Sequence, residues 1–162
     1  MPTLKIWFQL LAISGVIILG LGCEDKENMS PDPNIVSQEV SSIMTSTSWI
    51  ITKYMEKEID KTQDYSNMSF EFNANEVLTV SKNTDQFTGM WSISYKSDDD
   101  SQDDNPHSEY DDIDFNIHFT SPDKLAELSE DWEIISYSDS IIELIHISGG
   151  DGDVSYLTFE KL

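Results

Sequence analysis

The sequence predicts a mainly β domain, an antiparallel up-and-down β-barrel of about eight short strands, with a two-sheet sandwich as the alternative. Three observations lead there. From Trp49 onward, apolar residues recur with a period of two rather than the helical three or four. The runs are short and are separated by clusters of Asn, Asp, Ser and Gly that suit tight turns. No helical stretch between them is long enough for the crossover that parallel strands need. Such a barrel hides its strand edges and encloses either packed side chains or one small ligand.

Before the barrel comes an export signal. Lys5 and the α-amino group form a short positive region, and residues 6–22 are uncharged and rich in Leu, Ile and Val. The run ends at Gly22-Cys23, which holds the only cysteine, and an acidic segment, Glu24-Asp25-Lys26-Glu27, follows. This is the three-part layout of a secretory signal. Gly22 and Cys23 resemble the end of the lipobox of bacterial lipoproteins, and the acidic run resembles the surface-export signal of Bacteroidetes lipoproteins. The resemblance implies cleavage before Cys23, diacylglyceryl and palmitate-type acyl chains on its thiol and amine, and residence at the outer membrane or cell surface. The expected organisation is a signal peptide over 1–22, a lipidated tether with a short helix over 23–46, and the barrel domain over 47–162. An uncleaved membrane anchor is the alternative use of the apolar run.

The balance of charge narrows the partners. The chain carries 31 acidic residues against nine basic ones, all of them lysine, for a net charge of −22. Cleavage would remove Lys5 and no acid, so the mature chain is more negative still. A chain this acidic repels nucleic acid and anionic lipid, which excludes nucleic-acid binding. With Cys23 consumed by lipid no disulfide can form, and the fold must rest on its core. A monomer is expected.

Along the chain, Pro31 and Pro33 belong to the tether, and Asn34 is the expected cap of a short N-terminal helix. Ile35, Val36, Val40, Ile43 and Met44 approximate one apolar stripe on it, and Ser/Thr crowding over 45–48 ends it. Strands are expected over 49–55, 68–72, 77–80, 87–95, 113–119, 132–137, 141–147 and 154–160. Residues 56–66 read as a polar loop, and Asn73–Glu76 as a hairpin turn in which Asn takes the left-handed conformation. Trp91, Ile93 and Tyr95 share one face. The clearest alternation is Ile113, Phe115, Ile117 and Phe119 against Asp114, Asn116 and His118. A short helix precedes the sixth strand, with Ser121 as cap and Pro122 at its first position. Gly149–Asp153 is a hairpin turn rather than a calcium repeat, since Val154 stands where the repeat has Asp.

Five short pieces spread over residues 49–162 carry a further resemblance: Phe70-Glu71-Phe72-Asn73, Gly89-Met90-Trp91-Ser92, Phe115-Asn116-Ile117, Leu128–Ile134 and Leu157–Lys161. They resemble the lipocalin-like domain of small lipoproteins common in flavobacteria, a family without an assigned function. The resemblance implies a calycin-type barrel. If its interior is hollow, Trp49, Phe70, Phe72, Trp91, Phe115 and Trp132 are the candidate contacts for a small apolar ligand. That lipid-anchored, ligand-binding barrel is the leading expectation; the alternative is a non-enzymatic structural or interaction protein of the envelope with a solid core and an acidic rim.

Nothing in the sequence points to catalysis. There is no nucleophile elbow, and acids are too plentiful for any pair to mark acid–base chemistry. His107, His118 and His146 are isolated in sequence, so no metal site and no cofactor are assigned. Residues 98–112 hold eight carboxylates without EF-hand spacing and read as a self-repelling loop.

Overall fold

The computed structural model describes residues 32–95, 110–150 and 152–162. Helix α1 (Pro33–Met44) opens it, followed by β1 (Ser48–Glu56), a two-residue β2 (Ile59–Asp60), β3 (Met68–Phe72), β4 (Val77–Lys82) and β5 (Asp85–Tyr95). Then come β6 (Tyr110–His118), the single-turn α2 (Asp123–Ala126), β7 (Asp131–Tyr137), β8 (Ile141–Ile147) and β9 (Val154–Lys161). Every pairing is antiparallel and follows chain order, and β1 also pairs with β9 over Trp49–Glu56. The result is a closed eight-stranded barrel with β2 as a tab on β1, which excludes the open sandwich.

The core is the inner face of that barrel. Phe70, Leu78, Phe115, Trp132, Ile134, Leu157 and Phe159 have no exposed surface. Register shifts between Ile51 and Lys53, Tyr110 and Asp114, and Ile134 and Ser136 mark the irregularities that bend and twist a closing sheet. Trp91, Ile93 and Tyr95 do share a face, but exposure rises along it until Tyr95 projects into solvent.

Several local expectations are corrected. Asp32, not Asn34, caps α1: its carboxylate accepts from the Asn34 N–H at 2.9 Å. Pro33 sits at the first helical position, where a missing N–H costs nothing. Val36, Val40 and Met44 form the buried stripe, while Ile35 lies off it and is exposed. In the 73–76 turn the left-handed residue is Glu76 (φ 65°), held by its N–H donating to the Asn73 carbonyl. The asparagine argument does hold one turn later, at Asn83 (φ 55°). The polar loop over 56–66 contains β2 and a 3₁₀ turn, Thr62–Tyr65, that buries Tyr65. Pro122 rather than Ser121 takes the cap position of α2, because its extended backbone (ψ 166°) offers its carbonyl to the Leu125 and Ala126 N–H groups. Finally, β6 begins at Tyr110, so the acidic stretch gives way to strand earlier than expected.

Gly89 has a packing role. A Cβ there would stand 2.6 Å from the His118 carbonyl oxygen and from the Phe119 ring, which lies across it. Gly89→Ala should therefore cost roughly 1–3 kcal/mol in urea melts, the usual range for overpacking. Gly149, with nothing within 4 Å of such a Cβ, should accept alanine within about 0.5 kcal/mol. Equal losses at the two sites would contradict this account.

Candidate functional site

Four of the six residues expected to line a cavity meet through their rings, directly or by way of Phe159, and the other two, Trp49 and Trp132, stand beside Phe70 and Phe115 in the strand register. Phe72 sits edge-on to Trp91 (5.2 Å between centroids), Phe115 (5.6 Å) and Phe159 (5.4 Å). Phe70 meets Phe159 at 5.3 Å, and Trp91 meets Phe115 at 5.8 Å. Trp49 and Trp132 have no exposed surface. Edge-to-face contacts of this kind add to the gain from burial alone.

The three tryptophans among these six have also committed their only side-chain hydrogen-bond donor. The Trp49 indole N–H donates to the Met44 carbonyl at 2.9 Å, Trp91 to Asn73 at 3.0 Å, and Trp132 to Leu128 at 3.1 Å. Each acceptor lies where the chain reverses: the end of α1, the β3–β4 turn, and the segment after α2. Each tryptophan thus fastens a connection to the barrel.

Antiparallel order places α1 at one end of the barrel and α2 at the other. The α2 end is closed by aromatic residues and an ion network. The Tyr54 hydroxyl donates to the Glu127 carbonyl at 3.0 Å and Tyr65 to Lys124 at 2.8 Å, so exposed carbonyls of a one-turn helix find partners. The Tyr54 and Tyr65 rings meet edge-on at 5.3 Å. Around them, Lys61 bridges Glu56 and Glu127, and Lys124 bridges Asp64 and Glu127. Nothing in residue spacing announced this group, because its members come from a loop, a strand and a helix that only the closed barrel brings together.

These contacts shift ionisation in a consistent direction. Burial, reinforced by Glu56, pushes the Tyr54 hydroxyl up to about 12, and burial raises Tyr65 as well. The hydrogen bond to Glu56 holds the Lys61 ammonium above its ordinary range. Burial works to raise Glu127, but bonds from Lys61 and Lys124 outweigh it and leave the carboxyl lowered. Tyr54 and Lys61 are both raised on folding, so their contributions are complete below about pH 10 and fade as pH climbs through the folded values. Glu127, lowered on folding, contributes above the ordinary carboxylate range and loses its contribution under acid. Thermal melts should hold steady near neutrality and fall above about pH 10. Tyrosinate absorbance should show two of the tyrosines resisting ionisation until the fold opens. A titration in which all of them ionise together near pH 10 would contradict the burial of Tyr54 and Tyr65.

The remaining candidates do not converge. His118 is exposed on the outer face, whereas His146 lies near Glu130 (3.4 Å) and the Asp131 carbonyl (3.2 Å). Among the described residues no group of three or more His, Cys, Asp or Glu could hold a metal ion. Cys23, His107, the signal segment and residues 98–109 lie outside the described residues. No described helix is long and apolar enough to cross a membrane. Two open grooves stand out on the outer surface. One of about 490 Å³ runs between α1 and the barrel and is lined by Ser37, Ser41, Glu76 and Trp91 among others. The other, of about 670 Å³, lies on the wall formed by β1 and β9.

No protein-family model matches the chain, and no curated protein matches it. Among solved structures, the chain is similar to a DUF4847 family protein from Bacteroides vulgatus. That likeness has 13% sequence identity and a TM-score of 0.43, and covers 75% of this chain and 96% of the other.

Proposed function

We propose that this chain is a non-enzymatic envelope lipoprotein: a lipocalin-like barrel with a solid core, tethered by lipid at Cys23 and acting through its outer surface as a structural or interaction protein. One observation carries the reading. The aromatic side chains that would grip a ligand are spent on each other, and the three tryptophan N–H groups on backbone carbonyls. A small apolar guest in the interior would have to displace rings that already hold edge-to-face contacts with one another. The anchor is supported by the apolar run over 6–22 ending at a lone Cys23. Two or more acyl chains there would give stable attachment, which one alone does not.

The test is mass spectrometry of the protein purified from its native membrane. Its N-terminus should be acylated Cys23, its organic extract should contain no stoichiometric small apolar compound, and Cys23→Ser should accumulate as uncleaved precursor. A retained Met1 with an unmodified thiol would overturn the anchor. An equimolar apolar compound would overturn the solid core and favour the ligand-carrying alternative.

A further inference from the structure

Outward-facing positions of a water-facing β-sheet are ordinarily polar, because only one face is packed against the core. Part of this barrel departs from that rule. The register sets Met55 of β1 beside Tyr156 of β9, and Tyr156 beside Ile145 of β8. One step along, Val154 stands beside Ile147. Alternation along β9 sends Leu157 and Phe159 into the core, so Tyr156 and its cross-strand partners face outward. Ile145 is nevertheless only 8% exposed, so these residues pack into an apolar strip on the outside of the barrel. Met55, Val154 and Tyr156 line the groove of about 670 Å³ on this wall.

The groove also holds a positive charge that the described residues leave without a carboxylate partner. The Lys53 ammonium sits 4.8 Å from the centre of the Tyr156 ring, and no carboxylate among the described residues pairs with it. Lys57, at the same groove, is paired with Asp153 at 2.6 Å. In a chain with 31 acidic residues, an ammonium held by an aromatic face rather than a carboxylate keeps its hydrogen-bond donors for an incoming acceptor. Glu58 at the groove and the net charge of −22 repel multiply charged anions, which limits the guest to one negative charge.

We propose that this outer groove binds a monovalent organic anion with a flat apolar body, the body lying on Met55 and Tyr156 and the carboxylate accepting hydrogen bonds from Lys53. The site is separate from the barrel interior and does not depend on whether that interior is filled. Equilibrium dialysis of the full chain in phosphatidylcholine nanodiscs, with empty nanodiscs subtracted, tests it using naphthalene-2-carboxylate and its neutral carboxamide. The carboxylate should bind saturably and more tightly than the amide. Lys53→Gln should weaken the carboxylate at least about tenfold, the loss of a charge-assisted hydrogen bond, and leave the amide unchanged. Lys161→Gln makes the same change of charge on an exposed residue outside the groove and should leave both unchanged. The proposal is overturned if wild type shows no saturable binding, if acid and amide bind alike, or if the two lysine substitutions act equally.

Discussion

Replacing Phe115 with alanine is expected to lower the unfolding free energy by about 3–5 kcal/mol, the range for deleting a fully buried aromatic ring. Phe115 has no exposed surface, and its ring packs against Phe72 at 5.6 Å and Trp91 at 5.8 Å. Its strand neighbours Trp132 and Ile93 border the same site, and the surroundings of such a deletion relax only partly into the space left. Asn116, one position on, faces outward and donates to the Ser94 hydroxyl at 3.0 Å. Asn116→Ala should cost about 1 kcal/mol or less, the net worth of an ordinary hydrogen bond. The contrast is the informative part, since a strand packed with the opposite parity would reverse the two losses in denaturant melts.

Trp132→Ala should fall at the upper end of the same range, about 3–5 kcal/mol, because it removes a larger ring together with a hydrogen bond. Trp132 is fully buried, meets Tyr54 edge-on at 6.4 Å, and binds the Leu128 carbonyl. Trp132→Phe separates the two contributions. It keeps most of the apolar surface and removes one of the two donors to the Leu128 carbonyl, which retains the Glu130 N–H at 3.0 Å, for a loss of about 1 kcal/mol from the missing hydrogen bond. If phenylalanine were as well tolerated as tryptophan, the indole N–H would have no part in fastening the α2 segment.

The barrel was legible because its strands alternate so regularly. Ile113, Phe115 and Ile117 against Asp114, Asn116 and His118 is a pattern only a half-buried strand satisfies, and all three apolar residues are buried. Local exceptions escaped for local reasons. Tyr65 sits in a polar stretch whose 3₁₀ turn forms only because the ring has the barrel end to fill. Asp32 and Asn34 are both good caps, and the choice between them turned on Pro33. Glu76 took a conformation that residue preferences assign to asparagine, held by the Asn73 side chain bonding to the Val77 carbonyl across the turn. The six candidate ligand contacts are all buried. Whether rings on an inner face surround a space or close it depends on three-dimensional fit, which alternation cannot express. The outer strip had a trace in the sequence: Leu144-Ile145 breaks the alternation of its strand, and Ile145 is the residue that packs outside.

The pairing of β1 with β9 ties together residues about a hundred positions apart, a contact that conformational entropy makes late in folding. Until it forms, two strands with unpaired N–H and C=O groups are open to pairing with any neighbouring chain. A partly folded molecule is therefore not a weaker version of the native one but a different hazard: a template with two sticky sides. The net charge of −22 supplies a counterweight, since chains this acidic repel one another during the interval in which their edges are bare. On this view the excess of carboxylates serves the unfinished protein as much as the finished one.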